Sequence, residues 1–133
     1  MKGWRKPWPI SNRNWELNPD LHQTNELLTV LSDTTRLRIL SLLQRNGEIC
    51  VCHMHLALDQ PQPTVSRHLS RLRKAGLVAI RKEGHWIHYR IDIQSKPLAA
   101  ALLSTLSVAL ADNSEIKADS DRLNHVRSHL CQL

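Results

Sequence analysis

The sequence predicts a mainly α-helical chain carrying one small β-hairpin, and three observations predict it. Apolar residues recur at helical spacing from about Leu21 onward. Two short helical stretches flank the turn Asp59-Gln60-Pro61-Gln62. Directly after the second stretch come two runs rich in branched and aromatic residues, joined across Gly84.

Residues 1–20 hold Trp4, Trp8 and Trp15 beside Pro7, Pro9 and Pro19, with no period, which predicts an irregular N-terminal arm. Leu27, Leu28, Val30 and Leu31 then mark a first helix. Asp33 is an N-cap residue for a second helix with Ile39, Leu40 and Leu43 inward, and Asn46-Gly47 ends it. From Cys50 to Leu58, the residues Val51, Met54, His55 and Leu58 share one helical face. Pro63 suits the first turn of the next helix, which runs to Ala75 and stops at Gly76. In it Val65, Leu69 and Leu72 point one way, and Thr64, Arg67, His68 and Arg71 the other. Two short helices about a tight turn, the second with a polar basic face, describe a helix-turn-helix. Leu77 to Lys82 and Trp86 to Ile91 read as strands about the turn Glu83-Gly84-His85, in the place of a wing. The whole is a winged helix-turn-helix.

Ser95 caps and Pro97 opens a further helix to about Asp112. Its stretch from Leu98 to Leu110 is more apolar than one exposed helix should be, which assigns it to a homodimer interface against the first helix. Asp112-Asn113-Ser114 breaks it. A short helix from about Asp119 to Cys131, with Leu123, Val126 and Leu130 inward, completes the tail. The domain reading is therefore an arm over 1–20, a DNA-binding and dimerisation domain over 21–112, and a tail over 113–133.

Bulk properties narrow the function. The 133 residues fit one domain, and 41% hydrophobic content supports a packed core. A net charge of +6 favours an anionic partner. No run approaches the length of a membrane span, and no apolar segment follows the basic N-terminus as in a secretory signal. Three cysteines, two of them one residue apart, argue against a disulfide framework and for metal-binding or reactive thiols in a reducing cytosol. There is no Gly-rich phosphate loop, no His-Glu-x-x-His and no Cys-x-x-Cys, so nothing points to an enzyme.

Between Arg67 and Arg90 lie seven basic residues and one acid, Glu83. A basic helix face alone is usually just solvated; placed after a tight turn and before a hairpin, it reads as a surface for double-stranded DNA. Base readout falls to Gln62, Thr64, Ser66 and Arg67 near the helix start, since Gln pairs with adenine and Arg with guanine. His68 and Arg71 are expected at phosphate or the groove wall. Arg81, Lys82 and His85 on the wing are expected at the backbone or minor groove.

Cys50-Val51-Cys52 stands at the start of the leading helix of this unit. Thiolates select soft ions: As(III), Sb(III), Cd, Zn and Cu(I). A helix N-terminus lowers thiol pKa, so the site is expected to help ionise its own ligands. Residues i and i+2 do not face each other on a helix, so both sulfurs gripping one ion is expected to require a first turn that is non-helical or unwinds. His55 is either a third ligand or a helix-face histidine with a local hydrogen bond, and His53 is expected in solvent. Cys131 is a candidate third thiolate if the tail folds back. His125 and His129, at i, i+4, are expected to be simply exposed.

The run Leu31-Ser-Asp-Thr-Thr-Arg-Leu-Arg-Ile-Leu40 resembles the opening of the ArsR/SmtB metalloregulators, and Glu48-Ile-Cys-Val-Cys52 resembles the "E-L-C-V-C" box of their arsenical-resistance repressors. Gln62-Pro63 with Val65-Ser-Arg-His-Leu69 is similar to their recognition helix, and Arg81 to Arg90 to their wing. The resemblance covers about residues 22–111. It implies a homodimeric repressor of a resistance operon, released by As(III) or Sb(III), with no cofactor required. The chain departs from the pattern where the third cysteine of C-V-C-D-L-C is expected: His55 stands there, and His53 replaces an acid. Residues 97–111 contain no His or acid, so the family's interfacial zinc pattern is absent. Two alternatives follow: a winged-helix repressor sensing Zn or Cd through Cys50, Cys52 and His55, or oxidant at the thiols; and, more remotely, a thiol metal carrier.

Overall fold

The computed structural model describes residues 20–130. The tryptophans of the arm and Cys131 lie outside the described residues.

The chain opens with α1 (Leu21–Leu31), whose N-terminus is capped by the Asp20 carboxylate, and α2 (Thr34–Asn46). Asp33 sits in extended backbone and its Oδ1 accepts from the Arg36 N–H at 3.0 Å, satisfying one of the orphan donors of α2. Gly47, at φ +73°, ends the helix in a conformation that disfavours any side chain. β1 (Ile49–Cys50), α3 (Val51–Leu58) and α4 (Gln62–Lys74) follow, with Asp59 left-handed in the turn between the helices. β2 (Val78–Glu83) and β3 (Trp86–Ile91) form the hairpin, then come α5 (Pro97–Ala109) and α6 (Ser114–Leu130).

The fold class is the one the sequence predicts, a mainly α winged helix-turn-helix. Ile39, Leu40, Leu42, Leu43, Met54, Leu58, Val65, Leu69, Leu72 and Leu77 form one contiguous buried core. The period-3.6 stripes of α2, α3 and α4 converge on it.

Three features differ from the sequence reading. First, the sheet has three strands in the order β1-β3-β2, all antiparallel. β1 is two residues long and exists only through pairing with β3, Ile49 opposite Tyr89 and Cys50 opposite His88. No local signal marks so short a strand. Second, Ser95 does not cap α5: the N-cap position is Lys96, without a side-chain cap hydrogen bond. Its ammonium instead donates to the Gly76 carbonyl, closing the loop after α4. Third, α6 starts five residues before the expected Asp119. Asn113 both interrupts the chain after α5 and caps α6, its Oδ1 accepting from the Ile116 N–H at 3.1 Å. The stripe that buries α6 is Ile116, Asp119 and Leu123, so a carboxylate occupies an apolar position and hides the period.

Asp119 is 1% exposed and is held by two arginines. It accepts from Arg38 Nε and Nη2 at 2.9 and 2.8 Å and from Arg122 Nη2 at 2.6 Å. Arg38 also donates to the Leu58 carbonyl at 2.9 Å, and Arg122 to the Ala57 carbonyl at 2.7 Å. These are the last carbonyls of α3, which lack intrahelical partners. Arg127 donates to the Glu48 carbonyl at 2.7 Å, beside β1. α6 thus braces α3 at both ends.

α1 and α5 leave apolar side chains exposed. Leu21 is 82% exposed and Val108 76% exposed, and only Ala99 and Leu103 of α5 are buried.

Candidate nucleic-acid interface and thiol site

α4 buries Val65, Leu69 and Leu72 completely, which fixes its rotation. Gln62, Arg67 and Arg71 are therefore exposed on its outer face, with Thr64 and Ser66 half-buried beside them. Arg73 and Lys74 extend the exposed basic surface. His68 is placed differently from the rest. Its Nδ1 lies 3.3 Å from Arg36 Nη1 and 3.9 Å from Asp33 Oδ1, so it packs against the start of α2. Arg36 itself donates from Nε to the Val30 carbonyl at 2.6 Å and caps α1. It lines one groove with Arg67, His68, Ser70, Arg71 and Lys74, a position that the sequence reading missed. Only the tertiary fold brings α2 beside α4.

On the wing, Lys82 and His85 are exposed at the tip. Arg81 has a different setting. It donates from Nε to Glu48 Oε1 at 3.0 Å and from Nη1 to Glu83 Oε2 at 2.9 Å. These carboxylates hold the guanidinium protonated and aim it across the sheet, toward the segment that carries the cysteines. The Arg81 hydrogen bonds in turn keep the Glu48 carboxyl below its ordinary range. Glu48 was singled out only as part of the Glu-Ile-Cys-Val-Cys run; its partner across the sheet was not visible in sequence.

The expected condition, a first turn that is non-helical or unwinds, is met by its first alternative. Cys50 is the N-cap of α3, in extended backbone at φ −70° and ψ 140°, and only Cys52 lies inside the first helical turn. The i, i+2 rule for helix faces therefore does not apply to the pair. Their Sγ atoms are 2.7 Å apart while α3 is fully formed.

For Cys52 the structure opposes the expected self-ionisation. Burial, then the hydrogen bond and charge of Cys50, push the Cys52 thiol up to about 12. Desolvation outweighs the helix N-terminus, so Cys52 carries a proton at neutral pH. A divalent ion must displace that proton. The apparent affinity for Cd(II) is expected to rise about tenfold per pH unit per proton released, between about pH 6 and pH 8. Chelator competition at several pH values measures this, and a flat profile would contradict a protonated Cys52.

The sulfurs open into a cleft of about 710 Å³ between α3, β3 and α6, whose walls include His53, His55, Trp86, His88 and Arg127. His53 is half-buried there and not in solvent, and burial with the nearby Arg127 and His88 charges favours its neutral form. His55 Nδ1 lies 3.3 Å from the Gln60 carbonyl. Among the described residues, no three His, Cys, Asp or Glu side chains are gathered as a ready-made metal site. His125 and His129 stack at 4.1 Å on the exposed side of α6, with His129 Nδ1 2.8 Å from the His125 carbonyl.

A basic helix anchored by a short leading helix, flanked by an antiparallel wing, defines a winged helix-turn-helix DNA-binding protein. Residues 33–79 match the bacterial regulatory protein, arsR family. The arsenical resistance operon repressor of Escherichia coli is 47% identical over 78 residues, covering 59% of this chain and 67% of that protein. The solved AntR antimony-specific transcriptional repressor superposes with a TM-score of 0.62 at 28% identity, covering 84% of this chain and 98% of that one. A homodimeric winged helix-turn-helix DNA-binding domain from Mycobacterium bovis superposes with a TM-score of 0.58 at 30% identity, covering 80% and 93%. The chain belongs to the arsR family of bacterial regulatory proteins. Its family and fold are those of DNA-binding transcriptional regulators.

Arg67→Ala is expected to weaken operator binding by about 1–3 kcal/mol per half-site, with dimerisation intact. Fluorescence anisotropy with operator DNA, alongside sedimentation, separates the two. Unchanged affinity would remove Arg67 from the reading face.

Proposed function

We propose that this protein is a cytoplasmic homodimeric repressor that leaves its operator when As(III) or Sb(III) binds Cys50 and Cys52. The observation that carries this reading is the pair of sulfurs 2.7 Å apart at the entry to α3, the leading helix of the DNA-reading unit. Two soft donors in contact, walled by imidazoles and largely out of water, suit a thiophilic ion. The arsenical and antimony repressors among the relatives agree with that choice.

The switch follows from position. Metal–sulfur bonds of about 2.3 Å at a near-tetrahedral angle hold two sulfurs about 3.7 Å apart. Occupancy therefore fixes the separation and angle of two sulfurs that are otherwise held only by contact. Cys50 belongs to β1, which pairs with the wing, and Cys52 to α3, which packs on α4. That constraint is thus transmitted to both DNA-facing parts, which gives the ion different free energies in the bound and released states. The exposed apolar faces of α1 and α5 form the dimer contact, and Gln62, Thr64, Ser66, Arg67 and Arg71 face the major groove.

A second reading, a Zn or Cd sensor using His55 as third ligand, is favoured by one contact. A histidine whose Nδ1 faces a backbone carbonyl has the arrangement common to metal-bound imidazoles, with Nε2 left for the ion. Titrating the operator-bound dimer with arsenite and, separately, with Zn(II) tests the proposal. Release by arsenite and not by Zn(II) supports the metalloid reading, the reverse supports the second, and release by neither overturns both.

A further inference from the structure

We infer that His88, on the wing strand, is a donor to the ion held by Cys50 and Cys52, so that one bound ion ties the leading helix to the wing. The inference rests on the thiol pair being the ion site. Its own support is the sheet register. Cys50 pairs directly with His88 across β1 and β3. Facing residues in an antiparallel pair project from the same side of the sheet, with Cβ atoms about 5 Å apart. A bond of about 2.3 Å to sulfur and one of about 2.0 Å to imidazole nitrogen bridge that gap by side-chain rotation alone.

The surroundings agree with the register. His88 lines the same cleft as both cysteines, and its side chain is 22% exposed. Its ring nitrogens approach Glu48 Oε1 at 3.7 Å and Glu83 Oε2 at 3.8 Å, longer than hydrogen bonds. Neither contact is a hydrogen bond, so turning the ring toward the thiol pair breaks none. Those same two carboxylates hold Arg81. Turning His88 onto the ion takes it away from Glu48 and Glu83. A thiol pair alone would act on α3; with His88 the ion also pulls on β3. Two sulfurs and an imidazole accept borderline divalent ions, Cd(II) and Zn(II), in addition to metalloids.

The test uses the full-length dimer and Cd(II) as probe. Affinities are measured by chelator competition, and sulfur ligation by thiolate-to-metal charge-transfer absorption. His88→Gln is expected to keep the charge-transfer band and lose at least about tenfold in affinity, whether or not His55→Gln also weakens binding. Wild-type affinity in His88→Gln would overturn the inference. Should His88→Gln fail to fold, the ring-nitrogen resonances of nitrogen-15-labelled wild type give the answer: a His88 nitrogen shifted by Cd(II) supports ligation, and unshifted His88 nitrogens overturn it. Cys52→Ser separates the two levels. If it keeps both the band and the affinity, the thiol-pair reading falls, and the His88 inference with it.

Discussion

Cys52→Ser is expected to lower arsenite and Cd(II) affinity by more than about 100-fold while leaving operator binding by the ion-free dimer within about twofold of wild type. The loss is large because Cys52 supplies one of the two sulfurs of the proposed site. Removing one leaves Cys50 alone, and Cys50 is 4% exposed and buried in the core. Operator binding survives because Cys52 faces the α3–β3–α6 cleft and not the outer face of α4. Serine also keeps the size of the side chain and the backbone of the first helical turn. The phenotype is a repressor that stays on its operator in the presence of inducer. Anisotropy with and without arsenite reads both halves. Normal release in Cys52→Ser would show that the sulfur pair is not the sensor.

Asp119→Ala is expected to destabilise the fold by about 3–5 kcal/mol, the range for breaking a buried ion pair from one side. Asp119 is 1% exposed, and Arg38, whose side chain is only 12% exposed, would be left as an uncompensated charge in the interior. The damage spreads beyond the pair. Arg38 and Arg122 are held by Asp119 while they cap the Leu58 and Ala57 carbonyls, so the C-terminus of α3 loses its partners together with the carboxylate. Urea denaturation monitors the effect. A loss under about 1 kcal/mol would mean that α6 does not brace the reading unit as its hydrogen bonds indicate. Asp119→Asn is expected to fall between the two proteins, because the amide retains one acceptor for the arginines and has no charge.

Much of the architecture was legible because local chemistry and the global fold agree. Asp33 at a helix start, Gly47 at a helix stop, the turn before Pro63 and the branched and aromatic run from Trp86 to Ile91 each state their role within a few residues. The stripe Val65, Leu69 and Leu72 fixed which face of α4 is basic. What stayed hidden depended on contacts distant in sequence. β1 is two residues long and is made by β3, almost forty positions away. Asp119 disguised α6 because a charge stands where the stripe calls for an apolar residue, and only Arg38 and Arg122 account for it. The site shows the same division. Cys50-Val51-Cys52 stands out as a candidate soft-ion motif by residue type and spacing alone. Its geometry does not, because Cys50 is strand and cap, not helix, and because burial dominates the thiol of Cys52. His88 and Glu48 could not be joined to the cysteines without the third strand. Arg81 reads as a wing cation, and its carboxylate partners Glu48 and Glu83 appear only in the fold.

X-ray absorption at the arsenic edge of the arsenite-loaded dimer tests the central claim most directly. The account predicts two sulfur neighbours at bonding distance in the wild type and one in Cys52→Ser. An arsenic shell of oxygen alone in the wild type, or two sulfurs persisting in Cys52→Ser, would contradict it.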